Sequence, residues 1–224
     1  MIGIVTGLLS EAGCIPPSVD RLIVSTGGEA PRARQAASVL VDRGARALLS
    51  FGLAGGLDRE TRPGDLLLPE AVVLPGGAKA TTDSTWRARL EAKLFLAGPA
   101  VHGGLVAGSD GPLVSVDDKH RLHDATGAIG VDMESPGVAE AALHARLPFV
   151  VLRAIADPVT QRLPHAARRA LAPDGSIRVL VVARGLLDRP QDLPALLRVW
   201  RQSARAHASL RCAALLAGPA LEPD

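Results

Sequence analysis

The sequence predicts an α/β fold on a parallel sheet, because short apolar segments alternate with helical ones along its first half. The apolar runs "IGIV" and "RLIVS" each stop at glycines, and "ARALLSFG" supplies a third run of the same kind. Between the last two runs, "PRARQAASVLVDRG" has proline at its first position and glycine at its end, as helices often do. Hydrophobic residues make up 47% of the 224 residues, enough for one well-packed domain spanning 1–224.

The later segments continue this alternation. A strand region, "DLLLPEAVVL", is interrupted at Pro69, and the helical pattern "TWRARLEAKLFLAG" follows it. After the strand "VHGGLVAG", Ser115 and Asp118 open a helix through "VDDKHRLHDATG". "AIGVDM" is the next strand, Ser135 and Pro136 begin another helix, and "FVVLRAIA" is the most apolar strand. The last third is predicted to be helical.

Composition excludes several classes of protein. The two cysteines, Cys14 and Cys212, form no CxxC motif, so we expect neither a disulfide framework nor a metal site. A formal net charge of +2 predicts no nucleic-acid partner. The first residues lack a basic segment and reach Glu11 early, which is unlike a secretory signal. No uncharged apolar run is long enough to span a bilayer, and we therefore expect a cytoplasmic protein.

Carboxylates follow several of the predicted strands. Glu11 follows the first strand, Asp110 follows "VHGGLVAG", Asp132 and Glu134 end "AIGVDM", and Asp157 ends "FVVLRAIA". A glycine-rich turn, "GLAGG", is predicted after the third strand. Because ligands of parallel α/β sheets bind beyond the carboxyl ends of the strands, these groups are expected to face one cleft.

Each of these features also has a structural interpretation. The glycines of "SFGLAGGLD" do not follow the GxGxxG dinucleotide pattern, so they serve either as a packing turn or as a close approach to a ligand. Asp157 is either catalytic or a turn residue, Glu11 is either functional or solvated, and Met133 is either a contact or part of the core. Arg153 lies inside an apolar strand and must find a partner, so an ion pair with an acid at a strand end is expected.

Three stretches in this order, "SFGLAGGLDRETRPGDLLLP", "VDMESPGVAEAA" and "PFVVLRAIADP", resemble the superfamily of purine nucleoside phosphorylases and methylthioadenosine/S-adenosylhomocysteine nucleosidases. "VTGLLSEA", "TGGEAPRARQAA" and "LPALLRVWRQSARA" look closer still to the hopanoid-associated phosphorylases, which are implicated in removing adenine from adenosylhopane during bacteriohopanepolyol synthesis. The resemblance implies a three-layer α/β/α phosphorylase/hydrolase-like fold with a central mixed, largely parallel sheet.

The resemblance also implies roles for the carboxylates. Asp157 matches the acid that protonates N7 of the leaving adenine, and Glu11 matches the base that activates water. Glu134 would accept hydrogen bonds from the ribose 2′- and 3′-hydroxyls, Met133 would pack against the sugar, and Asp132 would support them. Carboxylates suit this reaction, because cleavage of an N-glycosidic bond builds positive charge on the ribose.

The purine would bind in the region of Pro112 and Leu113, with Ala54 and Gly55 of the glycine stretch as further substrate contacts. Of the family's usual phosphate ligands, an arginine before the glycine stretch is replaced by Ser50 and a serine or threonine within it by Leu53. These replacements favour hydrolysis over phosphorolysis.

A phosphate site remains the alternative, with Gly7, Gly28 and Arg32, or the neighbouring Arg34, as its ligands. No cofactor is expected, and inorganic phosphate is a possible co-substrate.

Two other functions stay open at this point: a nucleosidase for small soluble thioadenosines, and a nucleoside-binding protein without activity. A homo-oligomer is expected, with a dimer favoured. Residues 193–207 form an amphipathic helical pattern, with Leu193, Leu197 and Trp200 on one face and arginines on another. Between residues 162 and 211 there are ten arginines and three aspartates. The helix packs on its own domain, or its basic face draws the protein to an anionic membrane surface.

Overall fold

The computed structural model describes residues 1–28, 30–95, 98–162, 191 and 193–223. These residues contribute ten strands to one mixed sheet. The strands are β1 (Ile2–Thr6), β2 (Arg21–Ser25), β3 (Leu48–Gly56), β4 (Leu66–Leu67), β5 (Ala71–Val73), β6 (Lys79–Thr81), β7 (Val101–His102), β8 (Leu105–Gly108), β9 (Gly130–Asp132) and β10 (Phe149–Asp157). The helices are α1 (Leu9–Ala12), α2 (Ala30–Asp42), α3 (Ser84–Leu94), α4 (Val116–Thr126), α5 (Ser135–Ala145) and α6 (Leu193–Ala217), and a 3₁₀ turn, Gly218–Leu221, follows α6.

The long strand β3 organises the sheet. On one edge it pairs in parallel with β10 along its length. On the other edge it pairs in parallel with β1 over residues 48–50 and antiparallel with β9 over residues 55–56. Because β1 and β9 run towards each other along this edge, the chain leaves both strands beside the central residues of β3. Residues 51–54 of β3 are therefore not paired with a described strand on this edge.

Helices cover both faces of the sheet, and the alternation of side chains along the strands explains why. On one face, Ile4, Phe51 and Leu152 pack in a core with α3 and α6. On the other face, neighbouring residues such as Leu48 and Val151 pack in a second core with α2 and α5. The predicted three-layer α/β/α fold with a mixed, largely parallel sheet is therefore confirmed.

The two helices of the second core approach closely because of a glycine. A Cβ atom at Gly137 of α5 would lie 2.6 Å from the backbone nitrogen of Arg34 in α2. Such a distance is shorter than any ordinary contact, so a larger residue would push the two helices apart. The contact holds α5 in place, and Asp132 and Glu134 lie immediately before that helix.

The structure corrects two predicted elements. The predicted strand "VHGGLVAG" is divided into β7 and β8, which pair with different strands. The "GLAGG" stretch is not a turn: it continues β3 to Gly56, because its last residues are paired with β9. The short helix α1 and the strand β6 were not predicted. The helix of the C-terminal third is confirmed over Leu193–Ala217, whereas residues 163–190 lie outside the described part of the chain. Within the described residues, no helix is both long enough and apolar enough to span a membrane.

Candidate active site

A cavity of about 190 Å³ lies at the junction of β1, β3, β9 and β10. Its walls include every residue predicted to act in catalysis or to bind substrate or phosphate, except Arg32 and Arg34. The sheet brings them together, because β1 and β9 end along one edge of β3 and β10 ends along the other. The predicted site residues in the wall are Gly7, Glu11, Gly28, Ala54, Gly55, Pro112, Leu113, Asp132, Met133, Glu134 and Asp157.

Glu11 is held by three backbone amides. Its Oε2 accepts hydrogen bonds from the N–H groups of Gly7 and Leu8, both at 2.8 Å. Its Oε1 accepts one from the N–H of Leu53 at 2.9 Å, on the part of the β3 edge between β1 and β9. The carboxylate is only 3% exposed, and burial raises its pKa, against the lowering effects of Arg153 and of these amides. The solvated alternative for Glu11 is therefore wrong.

Arg153 of β10 lies at the centre of the carboxylates and is fully buried. Its Nε lies 2.8 Å from Oδ2 of Asp132, and its Nη1 lies 3.1 Å from Oε2 of Glu134. Nη2 donates a hydrogen bond to Oγ of Ser50 at 2.6 Å. The expected ion pair with acids at the strand ends is present, and it is shared between two of them.

Glycine at position 52 makes this arrangement possible. A Cβ atom there would lie 2.6 Å from Nη1 of Arg153 and 2.6 Å from Oε2 of Glu11. The guanidinium and the carboxylate therefore approach each other over a backbone that has no side chain. The glycine stretch serves the site through this close approach.

Three buried carboxylates, Glu11, Asp132 and Glu134, surround the single guanidinium of Arg153. One cation cannot offset three anions, so protonation of the cluster is favoured. Burial raises the pKa of Glu134 to about 7, Asp132 and Glu11 add to the rise, and Arg153 opposes it. Burial therefore favours a proton on Glu134 near neutral pH.

Asp132 mainly orders the backbone around the site. Its Oδ1 accepts hydrogen bonds from the N–H groups of Glu134 at 3.1 Å and Ser135 at 2.8 Å, at the start of α5. Its Oδ2 also accepts one from Oγ of Ser135 at 2.5 Å. These bonds fix the turn that directs Glu134 into the cavity. Met133, between the two acids, is half-buried and lines the cavity.

On the opposite wall, Asp157 forms a buried ion pair with Lys119 of α4. Nζ of Lys119 donates to Oδ2 of Asp157, and also to the carbonyl oxygens of Pro158 at 2.9 Å and Gln161 at 3.3 Å. Burial raises the pKa of Asp157, and the ammonium of Lys119 opposes that rise. Lys119 is only 1% exposed.

Sequence reasoning missed Lys119. The available signal was its helical position, because Lys119 and Leu122, which packs against a hydrophobic core, are three apart on α4 and share a face. A lysine on the inward face of a helix requires a partner, just as Arg153 does.

The walls of the cavity differ in chemistry. Pro112, Leu113, Val131 and Ala156 give it apolar surface, and Val131 and Asp157 both lie against Gly55. The acids Glu11, Asp132 and Glu134 are grouped around Arg153. The cavity can therefore hold a molecule with a flat apolar part and a hydroxylated part. The described residues contain no cluster of metal-binding side chains.

Three predicted groups lie elsewhere. Arg32 is exposed on α2 and is not part of the cavity wall, because Ala33 and Ala37 occupy the buried face of that helix. Arg34 is paired with Glu140 at 3.2 Å. Asp110 is exposed and outside the wall.

The mixed sheet lies between two helical layers and has its cavity at the strand ends, which is where α/β proteins bind their ligands. The chain belongs to the phosphorylase superfamily, whose family model matches residues 17–188. No curated protein sequence matches it significantly.

Solved structures share the fold at low sequence identity. The Helicobacter pylori 5′-methylthioadenosine/S-adenosylhomocysteine nucleosidase is 16% identical, with a TM-score of 0.69 and 96% of each chain covered. The nucleosidase of the same name from Colwellia psychrerythraea, solved with adenine, is 21% identical, with a TM-score of 0.64 over 83% of this chain and 95% of that one. The Streptococcus pyogenes S-adenosylhomocysteine nucleosidase is 18% identical, with a TM-score of 0.63 over 90% of this chain and 95% of that one.

Proposed function

We propose that this protein hydrolyses the N-glycosidic bond of an adenine nucleoside. The observation that carries the proposal is the position of Glu11, whose carboxylate lies in the cavity on three backbone amides. A carboxylate held there is placed to take a proton from an attacking water. Its raised pKa makes it a stronger base than an exposed glutamate.

The same contacts argue against phosphate as the attacking group. Binding a phosphate dianion requires free N–H groups and cations. The amides of Gly7, Leu8 and Leu53 already donate hydrogen bonds to Glu11, and Arg153 is already paired with Asp132 and Glu134. Three carboxylates beside the position would also repel the dianion.

The sugar fits the acidic end of the cavity. Glu134 uses Oε2 for Arg153, and its Oε1 approaches Gly7, where a Cβ atom would lie only 2.6 Å away. We infer that Glu134 accepts hydrogen bonds from the ribose 2′- and 3′-hydroxyls, with Met133 against the ring. Positive charge that develops on the ribose during cleavage is stabilised by this group of acids.

The base fits the other end. Asp157 shares the cavity wall with Lys119, Pro112 and Leu113, and we infer that the purine packs on Pro112 and Leu113 within reach of its carboxyl group. Its raised pKa favours the protonated carboxyl that a leaving adenine needs at N7. The C1′–N9 bond then breaks, its electron pair goes to the base, and the water oxygen bonds to C1′ while Glu11 takes the water proton.

We propose adenosylhopane as the substrate, on the strength of the sequence resemblance and of one surface feature. In the N-terminal half of α6, Leu193, Leu197 and Trp200 are 44%, 45% and 68% exposed. The core-facing residues of α6 begin only at Ala206, nine positions after Leu197 and therefore on the opposite side of the helix. An outward apolar stripe beside arginines supports peripheral contact with the anionic surface of a membrane, where a hopanoid resides.

A nucleosidase for small thioadenosines is the second candidate, because solved structures with this fold include enzymes of that name. One assay separates the possibilities. The protein is incubated with adenosylhopane or methylthioadenosine, with and without phosphate, and adenine and the sugar product are measured.

We expect adenine and a free reducing sugar from adenosylhopane without phosphate. Faster release from methylthioadenosine would favour the second candidate. Formation of a ribose 1-phosphate would establish phosphorolysis, and no free base from any nucleoside would leave only a binding role. The expected homo-oligomer can be measured on the same sample by light scattering.

A further inference from the structure

The ion pair between Lys119 and Asp157 has a defined orientation, because the ammonium of Lys119 has further hydrogen-bond partners. The lysine is 1% exposed, and it directs its ammonium at Oδ2 of Asp157 and at two carbonyl oxygens beyond it. The three acceptors match the three N–H groups of an ammonium. Lys119 reaches the cavity wall from α4.

We propose that Lys119 is a positioning residue for the acid that protonates the leaving base. It fixes Oδ2 of Asp157, so that Oδ1 is the oxygen left to meet the nucleobase. It also stabilises the carboxylate that remains after the proton has gone. This inference rests on the proposed glycosidic cleavage and identifies what sets the strength of its acid.

The proton balance is simple. The O–H bond at Oδ1 of Asp157 breaks as the N–H bond at N7 of the purine forms. The new negative charge on Asp157 lies beside the ammonium of Lys119, which keeps its own three protons. After the base leaves with the proton, Asp157 takes another from solvent and the cycle can repeat.

Lys119 is the charged group that acts directly on Asp157. Burial raises the pKa of that carboxyl, and among the described residues the opposing influence comes from Lys119. Of the other charged groups in the cavity, Glu11, Asp132 and Glu134 are arranged around Arg153. Burial and the charge of Lys119 therefore act in opposite directions on the pKa of Asp157, and the effect of Lys119 can be removed by changing that one side chain.

Removing the ammonium predicts a specific change in the pH profile. A neighbouring opposite charge lowers a carboxyl pKa by about 1–3 units, so its loss moves the pKa of Asp157 upward by a similar amount. Because Asp157 must be protonated to donate, activity falls as pH rises through this pKa. In Lys119→Met, the basic limb of the kcat profile should therefore shift to higher pH by about 1 unit or more. The plateau should fall roughly tenfold, since the acid is weaker and less fixed.

The experiment measures adenine release against pH for the wild type, Lys119→Met and Lys119→Gln. The glutamine variant keeps hydrogen-bonding capacity but has no charge, and it serves if the methionine variant does not fold. A second substrate, 4-nitrophenyl riboside, has a leaving group that needs no proton. Both variants should cleave it at nearly the wild-type rate while they lose adenine release.

An unchanged basic limb would overturn the inference. So would an equal loss on both substrates, because that pattern indicates a structural role for Lys119. Failure of the wild type to release base from any nucleoside has a different meaning, since it refutes the glycosidic cleavage itself and with it this inference. Thermal unfolding of each variant confirms that the rates compare folded proteins.

Discussion

Removal of the Glu11 side chain tests the hydrolytic mechanism most directly. In Glu11→Ala the base is lost, and the amides of Gly7, Leu8 and Leu53 lose their acceptor. General base catalysis contributes about 10²–10⁴ to the rate, which corresponds to about 3–5 kcal/mol of barrier. We expect adenine release to fall within that range.

The vacated position should accept a small carboxylate. Formate carries the same group, and the three N–H groups that held Glu11 remain in place to bind it. We therefore expect added formate to restore activity in a saturable manner. Rescue should be partial, on the order of tenfold, because a free anion lacks the advantage of a tethered group.

Glu11→Gln is the matched control. Its amide fills the position, so formate has nowhere to bind and should not restore activity. One amide N–H must also face one of the three backbone donors, so this variant gains no catalytic function of its own. Initial rates are measured by adenine absorbance across formate concentrations at constant ionic strength. Wild-type activity in Glu11→Ala, or equal rescue of both variants, would refute the assigned role of Glu11.

Four further predictions concern the remaining groups. Asp157→Asn cannot donate a carboxyl proton, so adenine release should fall by about 10²–10⁴, and a near-wild-type rate would remove Asp157 from the mechanism. Glu134→Gln should impair cleavage of a riboside more than that of its 2′-deoxy analogue, and equal losses in kcat/KM would contradict hydroxyl binding. Burial raises the pKa of Glu134 from 4.5 to about 7, so the folded state keeps a proton that the unfolded state has lost. Wild-type stability should therefore decline as pH rises across this window, and urea unfolding should show Glu134→Gln gaining stability relative to the wild type. Sedimentation with anionic liposomes should decrease with salt and in a folded Arg198/Arg201/Arg205→Gln variant, whereas no binding at low salt would make α6 purely structural.

The residues around the cavity could be predicted because the ends of buried strands can be recognised in the sequence. Glu11, Glu134 and Asp157 each follow an apolar run, and the ends of such runs converge in an α/β sheet. Arg153 was expected to pair with an acid because a charged side chain inside a buried strand requires a partner of opposite charge. Their convergence on one cavity depends only on the order of the strands.

Other features depend on pairing that the sequence does not display. "GLAGG" looks like a turn because of its glycines, yet β9 pairs with it and keeps it extended. The amides that hold Glu11 come from two distant segments, the end of β1 and Leu53 of β3. Lys119 has no local partner, since Asp157 lies 38 positions further along the chain. Such contacts arise from the tertiary fold, which local propensity does not encode.

The imbalance around Arg153 has a consequence for the choice of inhibitors. With one guanidinium among three buried acids, the cavity carries surplus negative charge, and above a pH of about 7 Glu134 adds to it. A five-membered nitrogen ring that carries a fixed positive charge would relieve this repulsion, whereas its neutral carbon counterpart would not. The preference for the charged ring should widen as the solution becomes more alkaline, because Glu134 then loses its proton.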